Sequence, residues 1–575
     1  MRRFLAALLT LCLLSSLVAS IAMAEQTQEP ITLTVFRGDP GDQPTADNKI
    51  YKLIEERFGI KFNITFLTGD LDETLGIRII GEDYPDLFDG GNSADLIIEG
   101  GALINLLDYI NPVDTPRLWA HIEPQKARLI EKDADGNDVL YIIPNYGLAD
   151  GPQIVNSVGG PAFFIQKQVL EWADYPEIHT VNEYFDLIER FIEANPVAEN
   201  GTPYTGFAIL CEDWRHFCLI NPVQHLMGRP NDGEVYICVT DQNFEVTGND
   251  PADEFHTETF IDKPYAKAYY KKLNEAYHAG LIDRSTFVMS YDQYIALISG
   301  GTVLGMFDQA WDFGTATSAL LDAGMYDRTY VALGLVYDPE DVGGVEIEEH
   351  YVNGSLPNVR RGFGISKNCT CPERIVAMWE EMLSDEWQLL LNWGIEGEDY
   401  YIDEEGRLNM TPEQYAHTQD ANWKLANKAD AIFQSSPKKQ GYIMNDIQVG
   451  DKVVKAGNCW EPGNQPEIVF GLMNDYDKEF LSAYGYSKFA DFVNAPIELA
   501  PYGEAWQINY TPVDTAHTNF LKVQDIRLPE LIMCEPEEFD EKWDAFVAEI
   551  QPYADEFAAY MQDAVRLEAQ KVTGN

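Results

Sequence analysis

Residues 31–66 read ITLTVFRGDPGDQPTADNKIYKLIEERFGIKFNITF. Ile31, Leu33 and Val35 alternate with polar neighbours, the period of a half-buried strand. After a loop over 38–44 the pattern predicts a helix. Asp47 can cap it, Ile50, Leu53, Ile54 and Phe58 share one face, and Gly59 ends it. Ile60, Phe62, Ile64 and Phe66 then alternate again. Strand, helix and strand in one sheet require parallel pairing with a right-handed crossover, so this unit predicts an α/β fold.

The next stretch, 79–110, reads IIGEDYPDLFDGGNSADLIIEGGALINLLDYI. A strand-like entry leads to a turn at Tyr84-Pro85-Asp86 and a polar, Gly-rich loop from Asp89 to Ser93. An apolar run, the pair Gly100-Gly101, and Leu103-Ile104 with Leu106-Leu107 follow. A Pro-kinked loop of small and polar residues at a strand end can bring N–H and carboxylate groups to a cleft. Asp86 is expected to tie its own loop.

Further on, a hairpin is predicted about Asp135-Gly136, joining 128–131 to 139–143. Asp133, Asp135 and Asn137 imitate a calcium loop, but the required Gly falls two positions early and no Glu follows in place. Residues 155–167, VNSVGGPAFFIQK, read as a crossover into a second lobe. There Thr180 and Glu183 make a capping box, Tyr184, Leu187, Ile188, Phe191 and Ile192 the apolar face, and Pro196 the stop. Helical patterning recurs over 265–278, and Gly300-Gly301-Thr302 turns the chain into a strand at 303–307 and a loop at 308–313. From Gly362 the chain reads GFGISKNCTCPERIVAMWEEMLSDEWQLLLNWGIEGEDYYIDEEG. Pro372 suits a first helical position, with Ile375, Val376, Trp379, Met382 and Leu383 on the apolar face; Ser384 caps the next helix and Gly394 closes it.

The chain has 575 residues, too many for one core. Its start has the form of a secretion signal: Arg2-Arg3, an apolar run over 4–18, and the small-residue site Ala22-Met23-Ala24, with Glu25 the expected mature N-terminus. The formal net charge of −54 at pH 7 repels nucleic acid and anionic lipid, so neither is an expected partner. Of eight cysteines, Cys369-Thr370-Cys371 is too tight for an ordinary disulfide, and Cys211 with Cys218 lacks a matching pair of zinc spacing. The nine histidines are dispersed without H-E-x-x-H, and neither metal nor cofactor is expected. G-x-S-x-G, P-loop and G-x-G-x-x-G motifs are missing, so no enzyme is read here.

Three of these segments, LTVFRGD…NKIYKLIEERFGIKFNITFLTGD, the P-D loop with GALINLLDYI, and 362–406, resemble the extracellular solute-binding proteins of ABC importers. The likeness is to family 1, the branch that carries sugars and oligosaccharides. There the pattern runs roughly A-S-G-D-x-P-D-(I/V), then G-A-L-x-P-L-x-D-x-I. It is detailed up to 410 and loose over 411–575. It implies a periplasmic-binding-protein-like fold: two α/β lobes with mainly parallel sheets and an interlobe cleft. The implied organisation is a signal peptide over 1–24, lobe 1 over 25–150, lobe 2 over 151–337, a return to lobe 1 over 338–410, and a helical or irregular region over 411–575 mostly on lobe 2. The implied function is extracellular capture of a carbohydrate by lobe closure, as a monomer, and delivery to ABC permease subunits. Lipoprotein-type relatives carry a lipidated cysteine at the mature N-terminus. Cys12 sits behind Leu11 inside the apolar run instead, so no lipid anchor is expected.

Sugar sites pair aromatic faces, which cover C–H patches, with carboxylates and amides for the hydroxyls. The chain is 12% aromatic with 11 tryptophans. The resemblance points to the loop Asp89 to Asn92, to Trp214 in CEDWRHF, and to Trp311 with Asp308 in GMFDQAWDF. Tyr146 in IPNYG, Glu396 in GIEGE and Trp506 complete the candidates. Trp379 and Trp387 are expected in the core, and Arg360-Arg361 in pairs with nearby acids. A secreted glycosidase stands as the alternative, since a carboxylate pair has no local motif, and so does a surface sensing or adhesion module.

Overall fold

The computed structural model describes residues 29–144, 155–230, 237–240, 256–351, 361–430, 433, 435–439, 444–494, 508 and 511–573. The chain divides into two compact units, one of 1–150, 359–440 and 444–460, the other of 151–358, 441–443 and 461–575. The stretch 411–575 is thus shared between them.

In unit 1 the strand Ile31–Arg37, helix Lys49–Phe58 and strand Ile60–Phe66 follow in order, and the strands pair parallel with Ile31 opposite Ile60. The helix is capped by Asn48, not Asp47: the Asn48 Oδ1 accepts from the Ile50 and Tyr51 amides. Gly59 ends it in the left-handed region at φ 64°, where a side chain would be strained. The sheet order is Ile60–Phe66, Ile31–Arg37, Leu87–Phe88, Gly362–Ile365, Ile143–Pro144. The returning strand Gly362–Ile365 runs antiparallel to both neighbours. Leu33, Val35, Ile60 and Ile64 pack in one core with Trp379 and Met382 of helix Pro372–Met382, each large side chain contributing about 1.5–3 kcal/mol by burial. Trp387 is half-buried against the same core.

Asp86 reaches beyond its own loop. Its Oδ2 accepts from both the amide and the hydroxyl of Thr34 at 2.8 Å, tying the P-D turn to the first strand. The hairpin about Gly136 forms between Glu131–Lys132 and Asp138–Val139. It is shorter than expected because 126–129 is a helical turn and Ile143–Pro144 joins the main sheet. Asp133 Oδ1 accepts from the Asp135 and Asn137 amides, so this carboxylate serves its own turn.

Unit 2 is built on a four-stranded sheet in the order Tyr330–Leu333, Pro161–Gln166, Val303–Gln309, Thr205–Ala208. Only the last pair is parallel. Both sheets are therefore mixed, which corrects the expectation of mainly parallel ones. The strand entering unit 2, Pro161–Gln166, inserts between two strands that run against it. It and Val303–Gln309 are buried at every residue, which explains their continuous apolar runs. The second strand continues past 307 because Asp308 and Gln309 pair with Ala162 and Pro161. Helix Val181–Ala194 opens on the expected capping box, and its Tyr184 hydroxyl donates to the Phe164 carbonyl at 2.7 Å. Gly305 makes room for that tyrosine; a Cβ there would overlap the hydroxyl. Helices Asp514–Met533 and Phe539–Thr573 pack on one another, burying Phe520, Phe546 and Phe557. Among the described residues no helix is long and apolar enough to cross a membrane.

Candidate functional site

The fully buried strand Val303–Gln309 delivers Trp311 to the surface of unit 2, where it is 58% exposed. The short turn Asp213–His216 brings up Trp214, 38% exposed. The two indoles lie with centroids 5.8 Å apart and planes 14° apart. Phe217 continues the series, 5.9 Å and 16° from Trp214. Near-parallel rings at these separations form an offset stack. Trp311 Nε1 donates to Gln309 Oε1 at 2.6 Å, which fixes the outer ring.

The stack is braced by charge. The Arg215 guanidinium lies 4.3 Å from the Trp214 centroid and 4.0 Å from that of Tyr291. Its Nε donates to Asp312 Oδ1 at 3.1 Å. The Tyr291 hydroxyl donates to the Asp312 carbonyl and the Tyr291 amide to Glu212 Oε2, both at 2.6 Å. Burial raises the pKa of Asp312, and Arg215 opposes the rise. Asp308 is fully buried and accepts from the Tyr294 hydroxyl at 2.7 Å. Burial first, and then the Asp312 charge, push its pKa up to about 7. Asp308 therefore stands on the strand that leads to Trp311 and not on the exposed surface.

In unit 1 the P-D loop forms a knot of charge. Asp89 is 1% exposed, with Oδ2 3.4 Å from Arg37 Nε and Oδ1 accepting the Gly91 amide at 2.9 Å. Burial raises its pKa against the pull of Arg37. Asp39 pairs with Arg37 at 3.4 Å and with Arg361 at 2.8 Å, and Arg361 Nη1 donates to Asn92 Oδ1 at 3.3 Å. Gly91 lies against Gly38 so closely that a Cβ on Gly38 would meet the Gly91 amide nitrogen at 2.5 Å. Asn92 is exposed at the edge of the knot. The expectation that Arg361 pairs with acids holds; Arg360 lies outside the described residues.

The structure thus brings Trp214, Trp311 and Asp308 into one neighbourhood of unit 2, and Asp89 and Asn92 into one loop of unit 1. Glu396, also in unit 1, is exposed and paired with Lys452. Tyr146 and Trp506 lie outside the described residues. Sequence reasoning missed Arg215, Tyr291 and Phe217, and in unit 1 Arg37 and Asp39. Arg215 could have been found, as a guanidinium beside a candidate stacking ring. Tyr291 gives no local signal.

No protein-family model matches the chain, and no curated protein matches it in sequence. Its fold does match solved structures over nearly their whole length. An extracellular solute-binding protein from Bifidobacterium longum subsp. infantis aligns at a TM-score of 0.62 and 14% identity, covering 95% of this chain and 100% of that one. The S. pneumoniae ABC-transporter substrate-binding protein FusA, an EF-hand mutant in complex with fructo-nystose, aligns at 0.58 and 17% identity, covering 93% and 99%. An HMO-binding, ABC-transporter-associated solute-binding protein from Bifidobacterium longum infantis aligns at 0.58 and 13% identity, covering 95% and 98%. At these identities the likeness establishes the fold, two α/β lobes of the solute-binding-protein architecture.

Proposed function

We propose that this chain is the extracellular substrate-binding component of an ABC importer, which captures a carbohydrate, an oligosaccharide above all, and hands it to a membrane permease. Capture proceeds by closure of the two units about the ligand, with no bond made or broken. The observation that carries this reading is the exposed stack of Trp214 and Trp311 on a chain with this fold. Exposed indole faces cover the C–H patches of a sugar ring, and amides such as Asn92 serve its hydroxyls. Tyr146, Glu396 and Trp506 complete the proposed set of contacts. The buried Asp89 and Asp308 shape the segments that carry Asn92 and Trp311. The signal peptide is removed after Ala24, and the mature protein acts outside the cell.

One observation favours a glycosidase: Asp308, with a pKa pushed up to about 7, stands next to Asp312, a second carboxylate with raised pKa. Their surroundings argue against it. Asp308 is fully buried and Asp312 is 2% exposed, with Tyr294 and Arg215 as their partners, so neither reaches a glycosidic oxygen.

Calorimetric titration of the mature protein with neutral oligosaccharides tests the binding reading. A micromolar dissociation constant, about −8 kcal/mol, with no new reducing ends on prolonged incubation is the expected result. Turnover of the sugar would favour the glycosidase. Unchanged uptake after deletion of the gene would favour a sensing or adhesion module.

A further inference from the structure

Five non-glycine residues among those described have positive φ: Glu82, Asp174, Tyr175, Asp213 and Lys428. Four of them follow the ends of helices, where a left-handed residue helps satisfy the last free carbonyls. Asp213, at φ 53°, instead opens the turn Asp213–His216 and serves no such cap. A non-glycine residue in the left-handed region is uncommon, even for aspartate, which tolerates it better than most, and such residues gather at binding sites. The next residue is Trp214. The Asp213 side chain is exposed, and among the described residues it has no hydrogen-bond or ion-pair partner. Three other acids of this region are engaged, Glu212 by the Tyr291 amide, Asp308 by the Tyr294 hydroxyl and Asp312 by Arg215.

We infer that Asp213 is a ligand-contacting, specificity-determining residue of the Trp214–Trp311 platform, where its carboxylate accepts hydrogen bonds from the edge hydroxyls of a neutral sugar and turns away uronate and sulfated sugars; this rests on the carbohydrate reading above. A sugar ring lying on an indole face projects its hydroxyls at the ring edge, and a carboxylate is the strongest acceptor a side chain can offer them. An anionic ligand would meet Asp213 without compensation, because Arg215 beside the stack is already committed to Asp312.

The test screens the mature protein on an array carrying neutral, uronate-bearing and sulfated oligosaccharides, and then titrates Asp213→Gly, Asp213→Asn and Trp311→Ala against the best array ligand. The parent is expected to bind neutral sugars only. Asp213→Gly, freed of the left-handed strain, keeps or raises the melting temperature while binding at least tenfold more weakly. Asp213→Asn tolerates the same backbone without the charge, so it loses less affinity and narrows the gap between neutral and acidic sugars. Parental affinity in Asp213→Gly, with binding lost in Trp311→Ala, overturns the role of Asp213 and leaves the carbohydrate reading standing. Preference of the parent for acidic sugars overturns the specificity. A parent that binds nothing on the array overturns the carbohydrate reading, and this role with it.

Discussion

Lys167 and Asp477, more than three hundred residues apart in the chain, form a buried ion pair inside unit 2, the lysine 3% exposed and the aspartate 8%. The Lys167 ammonium also donates to Thr329 Oγ1 at 2.8 Å and lies 4.4 Å from the Phe489 ring centroid. Burial pulls its pKa below the usual lysine value against the opposing pull of Asp477. The pair couples the start of helix Lys167–Trp172, directly after the entry strand of the unit, to helix Asp475–Tyr484. Removing one partner leaves a buried charge without its counter-charge. Lys167→Ala should destabilise the protein by about 3–5 kcal/mol, whereas Lys167→Met with Asp477→Leu should come close to neutral. Urea midpoints of the two variants check this, and equal losses in both would show that the charge itself matters little.

The aromatic platform makes a second prediction. Trp311→Ala should weaken the binding of a cognate oligosaccharide by ~2 kcal/mol, roughly thirtyfold, without unfolding the protein. Trp214→Ala should act in the same direction, since it removes the ring on which Trp311 stacks. Calorimetry decides. If both folded variants bind within twofold of the parent, the ligand does not sit on these rings.

Arg215 supplies a third. Its guanidinium lies close to the rings of Trp214 and Tyr291 and compensates the buried Asp312. Arg215→Lys keeps the charge without the planar stacking, and Arg215→Ala loses both. The expected order of thermal stability is parent, then Lys, then Ala, with the alanine variant about 2–3 kcal/mol below the parent, a cost reduced from that of a fully enclosed pair because the arginine is 18% exposed. A lysine variant as unstable as the alanine one would assign the whole effect to ring contact.

The fourth concerns pH. Asp308 titrates near 7 in the fold against an ordinary carboxyl value of 3.8. Between those values the unfolded chain has released this proton and the folded one has not, so the contribution of Asp308 to stability falls as pH rises from about 4 to 7 and is level above. Asp308→Asn keeps an acceptor for Tyr294 and has nothing to ionise. Its advantage over the parent in melting temperature should therefore grow across this window and then stay constant. Glu258, raised to about 7 chiefly by burial, keeps its own slope in both proteins and cancels in the difference. A difference independent of pH would place the Asp308 titration elsewhere.

The first strand–helix–strand unit was legible because each of its decisions is local: alternation in 31–35 and 60–66, one apolar helix face, and a glycine at the left-handed stop. The Thr180 and Glu183 capping box was legible for the same reason. Strand direction was not. Whether Gly362–Ile365 runs with or against Leu87–Phe88 depends on where the chain has been for the intervening residues, and nothing in GFGI records it. Trp214 and Trp311 were found as single residues. Their contact, and the bracing of Trp214 by Arg215 and Tyr291, arises only when the turn at 213 meets the end of the strand from 303. Asp308 was placed one element too late because its pairing with Ala162 extends the strand beyond the apolar run that announced it.

The position of Gly362–Ile365 between Leu87–Phe88 and Ile143–Pro144 also sets the order in which this unit can be completed. Four of the five strands of this sheet lie within the first 144 residues, but the one that joins two of its parts comes only at 362. Until it is in place, Leu87–Phe88 and Ile143–Pro144 each offer an unpaired edge, open to wrong partners. The first unit of the chain therefore cannot finish folding before most of the second has been translated, and a fragment ending before 362 would hold neither.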